Sequence, residues 1–127
     1  MFSKKILIIE DEAPLRKALN TTLTKAGHIV TTAADGKQGL EMALAEKPDL
    51  IMLDINMPNM NGHQMLEKLR LDPWGKTAAV IFLSNYDDPA NIAKGFEYKS
   101  GDYIIKSNIS LEEIANRVKQ FLGGYHH

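Results

Sequence analysis

Four short apolar runs most constrain the fold of this chain: Ile6–Ile9, Leu50–Leu53, Val80–Leu83 and Tyr103–Ile105. Each run consists mainly of β-branched or bulky side chains and lacks the polar alternation of a strand with one solvated face. Strands of this kind are typical of a parallel sheet that is covered by helices on both faces. A fifth run, Ile29–Thr32, contains two threonines, which favours a strand nearer the edge of the sheet.

Helical patterns occupy the segments between these runs. In the first, leucines recur at helical spacing before Gly27, a residue suited to end a helix, and Pro14 fits the first turn. The second is bounded by Asp35 and Pro48, and the fourth begins at Asp88-Pro89. The apolar positions of the second, third and fifth helices are Leu40, Ala43 and Leu44, then Met65, Leu66 and Leu69, then Leu111, Ile114, Ala115, Val118 and Leu122 after a capping box at Ser110–Glu113.

The chain therefore reads as a strand followed by a helix, repeated five times. Such alternation predicts right-handed crossovers and a doubly wound α/β fold, with one parallel five-stranded sheet between two layers of helices. A length of 127 residues fits one domain. We expect this domain to span residues 1–122, with 123–127 as a tail whose two histidines can be a remnant of protein production.

Composition excludes several classes of protein. Cysteine is absent, so disulfides, thiolate metal sites and cysteine nucleophiles are excluded. Fifteen Lys and Arg against sixteen Asp and Glu, without a basic run, argue against nucleic-acid contact by this domain. No apolar run approaches the roughly 18 residues of a membrane span, and the first apolar run is too short for a signal peptide. We expect a cytoplasmic protein without membrane contact.

Polar side chains stand at the carboxyl ends of the predicted strands, where open α/β sheets bind their ligands. These ends meet at one edge of a parallel sheet, so we expect a cluster of carboxylates with one hydroxyl and one ammonium group. Taken singly, each residue has an ordinary structural explanation as a turn, cap or surface residue, and their convergence favours a site. The residues are Glu10, Asp11 and Glu12 after the first strand, Asp54 after the third, Ser84 and Asn85 after the fourth, and Lys106 after the fifth.

The charge of such a cluster indicates its chemistry. Two carboxylates about 4 Å apart repel by roughly 4 kcal/mol at an effective dielectric near 20, so they stay ionised together only beside a compensating cation. Lys106 supplies one positive charge, and a hard divalent ion such as Mg²⁺ suits the oxygen ligands. With no glycine-rich phosphate loop, the site is better suited to receiving a phosphoryl group on an aspartate than to binding a nucleotide.

Three segments, Ile6–Glu12, Asp54–Gly62 and Asp102–Lys106, resemble the response-regulator receiver domain of two-component signalling, including the chemotaxis regulators. The resemblance covers nearly the whole chain, and the segment from Asp54 to Gly62 is its most specific part. It implies a (βα)₅ flavodoxin-like fold with the strand order 2-1-3-4-5.

The resemblance implies a phosphoacceptor and a metal site. Asp54 would accept a phosphoryl group from a sensor histidine kinase or a phosphotransfer protein. Asp11 and Asp54 would bind Mg²⁺ directly, Asn56 would bind it through its backbone carbonyl, and Glu10 would do so through water.

The resemblance also implies a switch. Lys106 would pair with Asp54 and then with the phosphoryl oxygens, and Ser84 would move inward to hydrogen-bond the phosphoryl group. The space that Ser84 leaves would be filled by Tyr103, which changes the face formed by the fourth helix, fifth strand and fifth helix. This face would bind a downstream effector protein or domain, and it can also pair two copies of the chain. The implied protein is regulatory rather than an enzyme, since it catalyses only its own phosphorylation and dephosphorylation.

The sequence departs from the family pattern at a few positions. Ser107 follows Lys106 where the family has proline, so the expected cis bond there costs about 2.5–4 kcal/mol, or else the bond is trans and the lysine is aimed differently. Asn85 replaces a small residue beside the phosphoryl site and bears on the dephosphorylation rate. Asn59 replaces a glycine, and asparagine tolerates the left-handed conformation.

Two other functions remain open at this point. One is a phosphorylation-independent interaction module on the same fold, and the other is an Mg²⁺-dependent enzyme of the phosphatase or topoisomerase-primase type. Against the enzyme, Asn56 stands where such a site would carry a second acid. His28 and His63 lack a second ligand at metal spacing, and we expect both on the surface or in turns.

Overall fold

The computed structural model describes residues 4–84, 102–105 and 110–123. Its strands form one parallel sheet in the order β2-β1-β3-β4-β5. The predicted doubly wound fold and strand order are confirmed, with β2 at an edge. The strands are β1 Lys5–Ile9, β2 Ile29–Ala33, β3 Leu50–Asp54, β4 Val80–Ser84 and β5 Asp102–Ile105.

Helices cover the sheet on both faces because successive strand side chains point to opposite sides. In β1, Leu7 and Ile9 pack toward α2 and α3, whereas Ile6 and Ile8 pack toward α1 and the C-terminal helix. All four side chains are buried, so the sheet separates two apolar layers, one on each face. The helices are α1 Ala13–Lys25, α2 Gly36–Glu46, α3 Gly62–Leu69 and the C-terminal helix Leu111–Gly123, with a 3₁₀ turn at Gly75–Thr77.

The ends of α1 follow the sequence signals. Pro14 lies in its first turn, where the missing backbone N–H is not needed. Gly27 follows the helix with φ +98°, a conformation that glycine adopts without steric cost. His28 then leads into β2 as a half-buried turn residue, and desolvation lowers its pKa.

The buried face of α2 differs from the prediction. Asp35 caps the helix as expected, accepting from the Gln38 N–H at 2.8 Å. Leu44, however, is 36% exposed, and the buried positions include Gly39 and Ala43. A Cβ at Gly39 would lie 2.5 Å from the Ile9 side chain. The helix therefore approaches the sheet along a glycine, a face that a search for apolar side chains does not detect.

The predicted capping box begins the C-terminal helix. The Ser110 hydroxyl accepts from the Glu113 N–H, and the Glu113 carboxylate accepts from the Ser110 N–H, both at 3.1 Å. Ile114 and Val118 are buried as expected, while Leu111 is 36% exposed. None of the helices within the described ranges is long and apolar enough to cross a membrane.

Two expectations fall outside the described residues. One is the helix predicted to begin at Asp88-Pro89, and the other is the Lys106–Ser107 peptide bond.

Candidate functional site

Three acidic side chains meet at the carboxyl edge of the sheet. Glu10 and Asp11 follow β1, and Asp54 ends β3, which lies beside β1 in parallel register. One carboxylate oxygen of each residue lies within 4.8 Å of those of the other two. The structure thus brings together residues that are more than forty positions apart in the sequence, because neighbouring parallel strands end at the same edge.

Glu10 is held by several hydrogen bonds and is fully buried. Its backbone N–H donates to the Ala33 carbonyl at 3.1 Å. Its carboxylate accepts from the Glu12 N–H at 3.1 Å. These bonds connect Glu10 to the edge strand β2 and to the start of α1. They fix the direction in which the loop Glu10–Glu12, the acidic loop, leaves the sheet.

Asp11 is half-buried, and its Oδ1 atom is enclosed. Within the part of the chain that the structure describes, this oxygen has no hydrogen-bond partner. A buried carboxylate oxygen normally finds a donor or a cation, since leaving it unsatisfied is unfavourable. Oxygen donors of this kind suit a hard divalent cation such as Mg²⁺, and Glu10, Asp11 and Asp54 could hold one.

Asp54 is 1% exposed, and its carboxylate is oriented from its own loop. The Asn56 N–H donates to Asp54 Oδ1 at 3.1 Å, while the Asn56 side chain is exposed. The loop then passes through Asn59, which has φ +68°. This left-handed conformation is the one that the resemblance to the receiver family implied for that position.

Gly62 brings α3 against the start of the loop that follows β3. Its N–H donates to the Ile55 carbonyl at 3.0 Å. A Cβ at this position would lie 2.6 Å from the Asp54 carbonyl oxygen and 2.8 Å from the Ile55 Cα. Gly62 lies in the segment that carries the family resemblance, but its steric role was not predicted, because the Asn61-Gly62 dipeptide gives only a general turn signal.

Arg16 is a second residue that sequence reasoning missed. It lies in the second turn of α1, and its Nη1 donates to the carbonyl oxygens of Glu10 at 2.9 Å and Asp11 at 3.4 Å. No pattern of local spacing predicts this contact, because it depends on how α1 turns back beside the end of β1.

The structure describes only some of the remaining predicted site residues. Ser84 ends β4 and is fully buried; β4 lies beside β3, where Leu83 is the register partner of Asp54. Tyr103 lies in β5 opposite Phe82, but its side chain lies outside the described structure. The described residues do not include Asn85, Lys106 and Ser107.

The expectation for His63 is wrong. Its side chain is 7% exposed and lies against Phe82 in an edge-to-face arrangement, with ring centroids 5.0 Å apart. The imidazole contributes apolar surface to the core beneath α3, so it is not a surface or turn residue. The apolar pattern of α3 gave no sign of this, because histidine is not counted as a core residue.

Comparison with known proteins identifies the family of this chain. The sequence matches the response regulator receiver domain family over residues 6–119. It is 35% identical over 119 residues to a probable transcriptional regulator, ycf27, of Guillardia theta, which covers 94% of this chain and 45% of the relative. It is also 35% identical over 118 residues to the response regulator ArlR of Staphylococcus saprophyticus, covering 93% of this chain and 52% of that protein.

Solved structures have the same fold. The chemotaxis response regulator CheY4 of Vibrio cholerae superimposes with a TM-score of 0.88 at 26% identity, covering 95% of this chain and all of that one. A response regulator from Chloroflexus aurantiacus gives 0.86 at 28% identity, covering 95% and 98%. The chain spans about half the length of the curated relatives it matches. With a family match that covers most of its length and this fold, the chain belongs to the response regulator receiver domain family.

Proposed function

We propose that this receiver domain is a phosphorylation-controlled signalling switch whose phosphoacceptor is Asp54. The observation that carries the proposal is the meeting of the Glu10, Asp11 and Asp54 carboxylates within 4.8 Å at the ligand-binding edge of the sheet. Membership of the family supports a regulatory role, and we propose a cytoplasmic location. We propose that the domain covers residues 1–122 and that a tail follows it; the C-terminal helix includes Gly123, one residue beyond this boundary.

We further propose that the acidic cluster holds Mg²⁺. Asp11 Oδ1 is buried and has no hydrogen-bond partner within the described structure. Carboxylate oxygens of Glu10, Asp11 and Asp54 lie within 4.8 Å of one another, and oxygen ligands fit a hard divalent cation. Asp11 and Asp54 would bind through their carboxylates, Asn56 through its backbone carbonyl and Glu10 through a water molecule. When bound, Mg²⁺ supplies positive charge that offsets the charge of the carboxylates and of the phosphoryl oxygens.

The reaction is a phosphoryl transfer to a carboxylate. The phosphodonor is a phosphohistidine of a sensor histidine kinase or of a phosphotransfer protein. An oxygen of the Asp54 carboxylate attacks the phosphorus in line, a P–O bond forms, and the P–N bond to the donor imidazole breaks. The Asn56 N–H, which donates to Asp54 Oδ1, orients the carboxylate before the attack. Because Asp54 is 1% exposed, bulk water has little access to the acceptor.

The phosphoryl group would then alter the protein through nearby residues. It carries about −1.5 to −2 charges and three acceptor oxygens. Ser84, buried at the end of β4, would donate to one of these oxygens, and Lys106 would pair with another. Tyr103 would follow the movement of Ser84, and the face built from the fourth helix, fifth strand and fifth helix would change its affinity for an effector or a second copy. Asn85 and Ser107 would tune the lifetime of this state.

The first test is phosphorylation by a small phosphodonor. Incubation with acetyl phosphate and Mg²⁺ is expected to add one phosphoryl group to the intact protein, measured by mass spectrometry. Asp54→Asn is expected to abolish the addition, because an amide oxygen is too weak a nucleophile to form the acyl phosphate.

Asp35→Asn is the matched control, since it makes the same chemical change at the exposed cap of α2, where asparagine also caps well. This variant is expected to accept the phosphoryl group normally. A parent protein that gains no mass under conditions in which a known receiver domain does would overturn the proposal.

A further inference from the structure

Arg16 joins α1 to the acidic loop through backbone atoms. Its Nη1 donates to the Glu10 carbonyl at 2.9 Å and to the Asp11 carbonyl at 3.4 Å. Both carbonyls belong to residues whose carboxylates form the acidic cluster. The backbone of Arg16 is held in helix α1, where its N–H donates to the Glu12 carbonyl at 2.9 Å.

We infer that Arg16 is a positioning residue that holds the Glu10–Asp11 loop in its cation-binding conformation, an inference that rests on the proposed function. It does not touch the phosphoryl group or the cation in this assignment. It acts on the backbone from which two of the three carboxylates project.

The need for such a residue follows from charge. Three carboxylates within 4.8 Å repel one another when no cation is bound. Asp11, which is half-buried, can relieve this repulsion by turning toward solvent if its backbone is free to rotate. A charged donor on the adjacent carbonyls opposes that rotation, so the ligands are already arranged before the cation arrives. Groups that orient metal ligands in this way typically change affinity by 10- to 100-fold.

The sign of the effect separates positioning from simple electrostatics. Arg16 carries a positive charge close to a cation site. If it acted only as a charge, its removal would strengthen Mg²⁺ binding, because a repulsive partner is lost. If it positions the loop, its removal weakens Mg²⁺ binding, because the cation must then order the loop itself.

The experiment compares Arg16→Gln with Lys17→Gln. Lys17 is the next residue of α1 and is exposed, so its substitution removes the same charge at a neighbouring position. Binding of MgCl₂ alone is measured by isothermal titration calorimetry, and the initial phosphorylation rate with acetyl phosphate is measured against Mg²⁺ concentration. For Arg16→Gln we expect the Mg²⁺ dissociation constant to rise about tenfold, with the maximal rate at saturating Mg²⁺ changed by less than about twofold.

Lys17→Gln is expected to bind Mg²⁺ as well as the parent protein or slightly more tightly. Arg16→Lys, which keeps the charge and can donate to one carbonyl, is expected to lie between the parent and Arg16→Gln. It also carries the test if Arg16→Gln does not fold. A purely structural role would lower the thermal midpoint without moving the Mg²⁺ affinity, and that result would overturn the inference.

The outcomes distinguish the two proposals. Unchanged or tighter Mg²⁺ binding by Arg16→Gln, in a parent protein that binds Mg²⁺ and is phosphorylated, overturns the positioning role alone. A parent protein that neither binds Mg²⁺ nor accepts a phosphoryl group overturns the proposed function and this inference with it.

Discussion

Gly62 is the residue at which the packing of α3 and the geometry of the acidic edge meet. A methyl group there would lie 2.6 Å from the Asp54 carbonyl oxygen and 2.8 Å from the Ile55 Cα. Both are backbone atoms, which cannot move away by a side-chain rotation. We expect Gly62→Ala to lower the free energy of unfolding by about 1–3 kcal/mol through overpacking and to weaken Mg²⁺ binding, because the displaced backbone carries Asp54. Urea unfolding measures the change in stability, provided that the m-value is unchanged. Calorimetric titration with MgCl₂ measures the change in Mg²⁺ affinity.

Gly123→Ala is the control for Gly62→Ala, because it makes the same change at a position with free space around it. The added methyl group would meet nothing within 4 Å, so we expect no loss of stability, with a gain of at most about 1 kcal/mol from replacing glycine in a helix, and an Mg²⁺ affinity close to that of the parent. If Gly62→Ala behaved in the same way as Gly123→Ala, the close approach between α3 and Asp54 would not constrain the site.

Two helices of this chain begin with the same device at different distances from the site. In α3 the Asn61 side chain accepts from the Gln64 N–H, and the Gln64 side chain accepts from the Asn61 N–H, both at 2.9 Å. Ser110 and Glu113 form the equivalent box at the C-terminal helix. We expect Asn61→Ala and Ser110→Ala each to lower the free energy of unfolding by about 1 kcal/mol, measured by urea unfolding.

The two variants differ in their effect on the site. Asn61 ends the loop that begins at Asp54, so its loss is expected to weaken Mg²⁺ binding as well. Ser110 begins an element that does not carry any of the three clustered acids, and its loss is expected to leave Mg²⁺ affinity unchanged. Equal Mg²⁺ affinities for Asn61→Ala, Ser110→Ala and the parent would show that the cap of α3 serves stability alone.

At the scale of the whole molecule, the fold brings three negative charges together and thereby couples its stability to the cation. Without Mg²⁺, Asp11→Asn removes one charge from the cluster and is expected to raise the free energy of unfolding by on the order of 1 kcal/mol. With Mg²⁺ at a hundred times its dissociation constant, the parent gains about 2.7 kcal/mol by mass action, whereas Asp11→Asn gains much less. The order of the two proteins in a thermal melt should therefore reverse when Mg²⁺ is added.

The melt without Mg²⁺ is carried out in buffer that contains a chelator and neither Ca²⁺ nor Mg²⁺. Asp35→Asn again controls for the loss of one negative charge. An Asp11→Asn variant that is less stable than the parent under both conditions would contradict the view that repulsion among the acids destabilises the cation-free fold.

Much of the fold was predictable because its signals are local. Runs of apolar residues without polar alternation predicted the strands, and the strand order came from the family resemblance. Ser110 and Glu113 predicted a helix start because a capping box lies within four consecutive residues. The meeting of Glu10, Asp11 and Asp54 was predictable in outline, since the carboxyl ends of parallel strands share one edge of the sheet.

What the sequence determined by itself was therefore the order of elements and the edge at which the acids gather. Only the tertiary structure decided that α2 approaches the sheet along Gly39 rather than along Leu44, that His63 is buried against Phe82, and that Arg16 donates to the acidic loop. The physical reason is that each of these contacts joins two different elements, which meet only when the chain packs. Local patterns of polarity specify which element a residue belongs to, whereas close approach and hydrogen bonding between elements depend on how those elements pack.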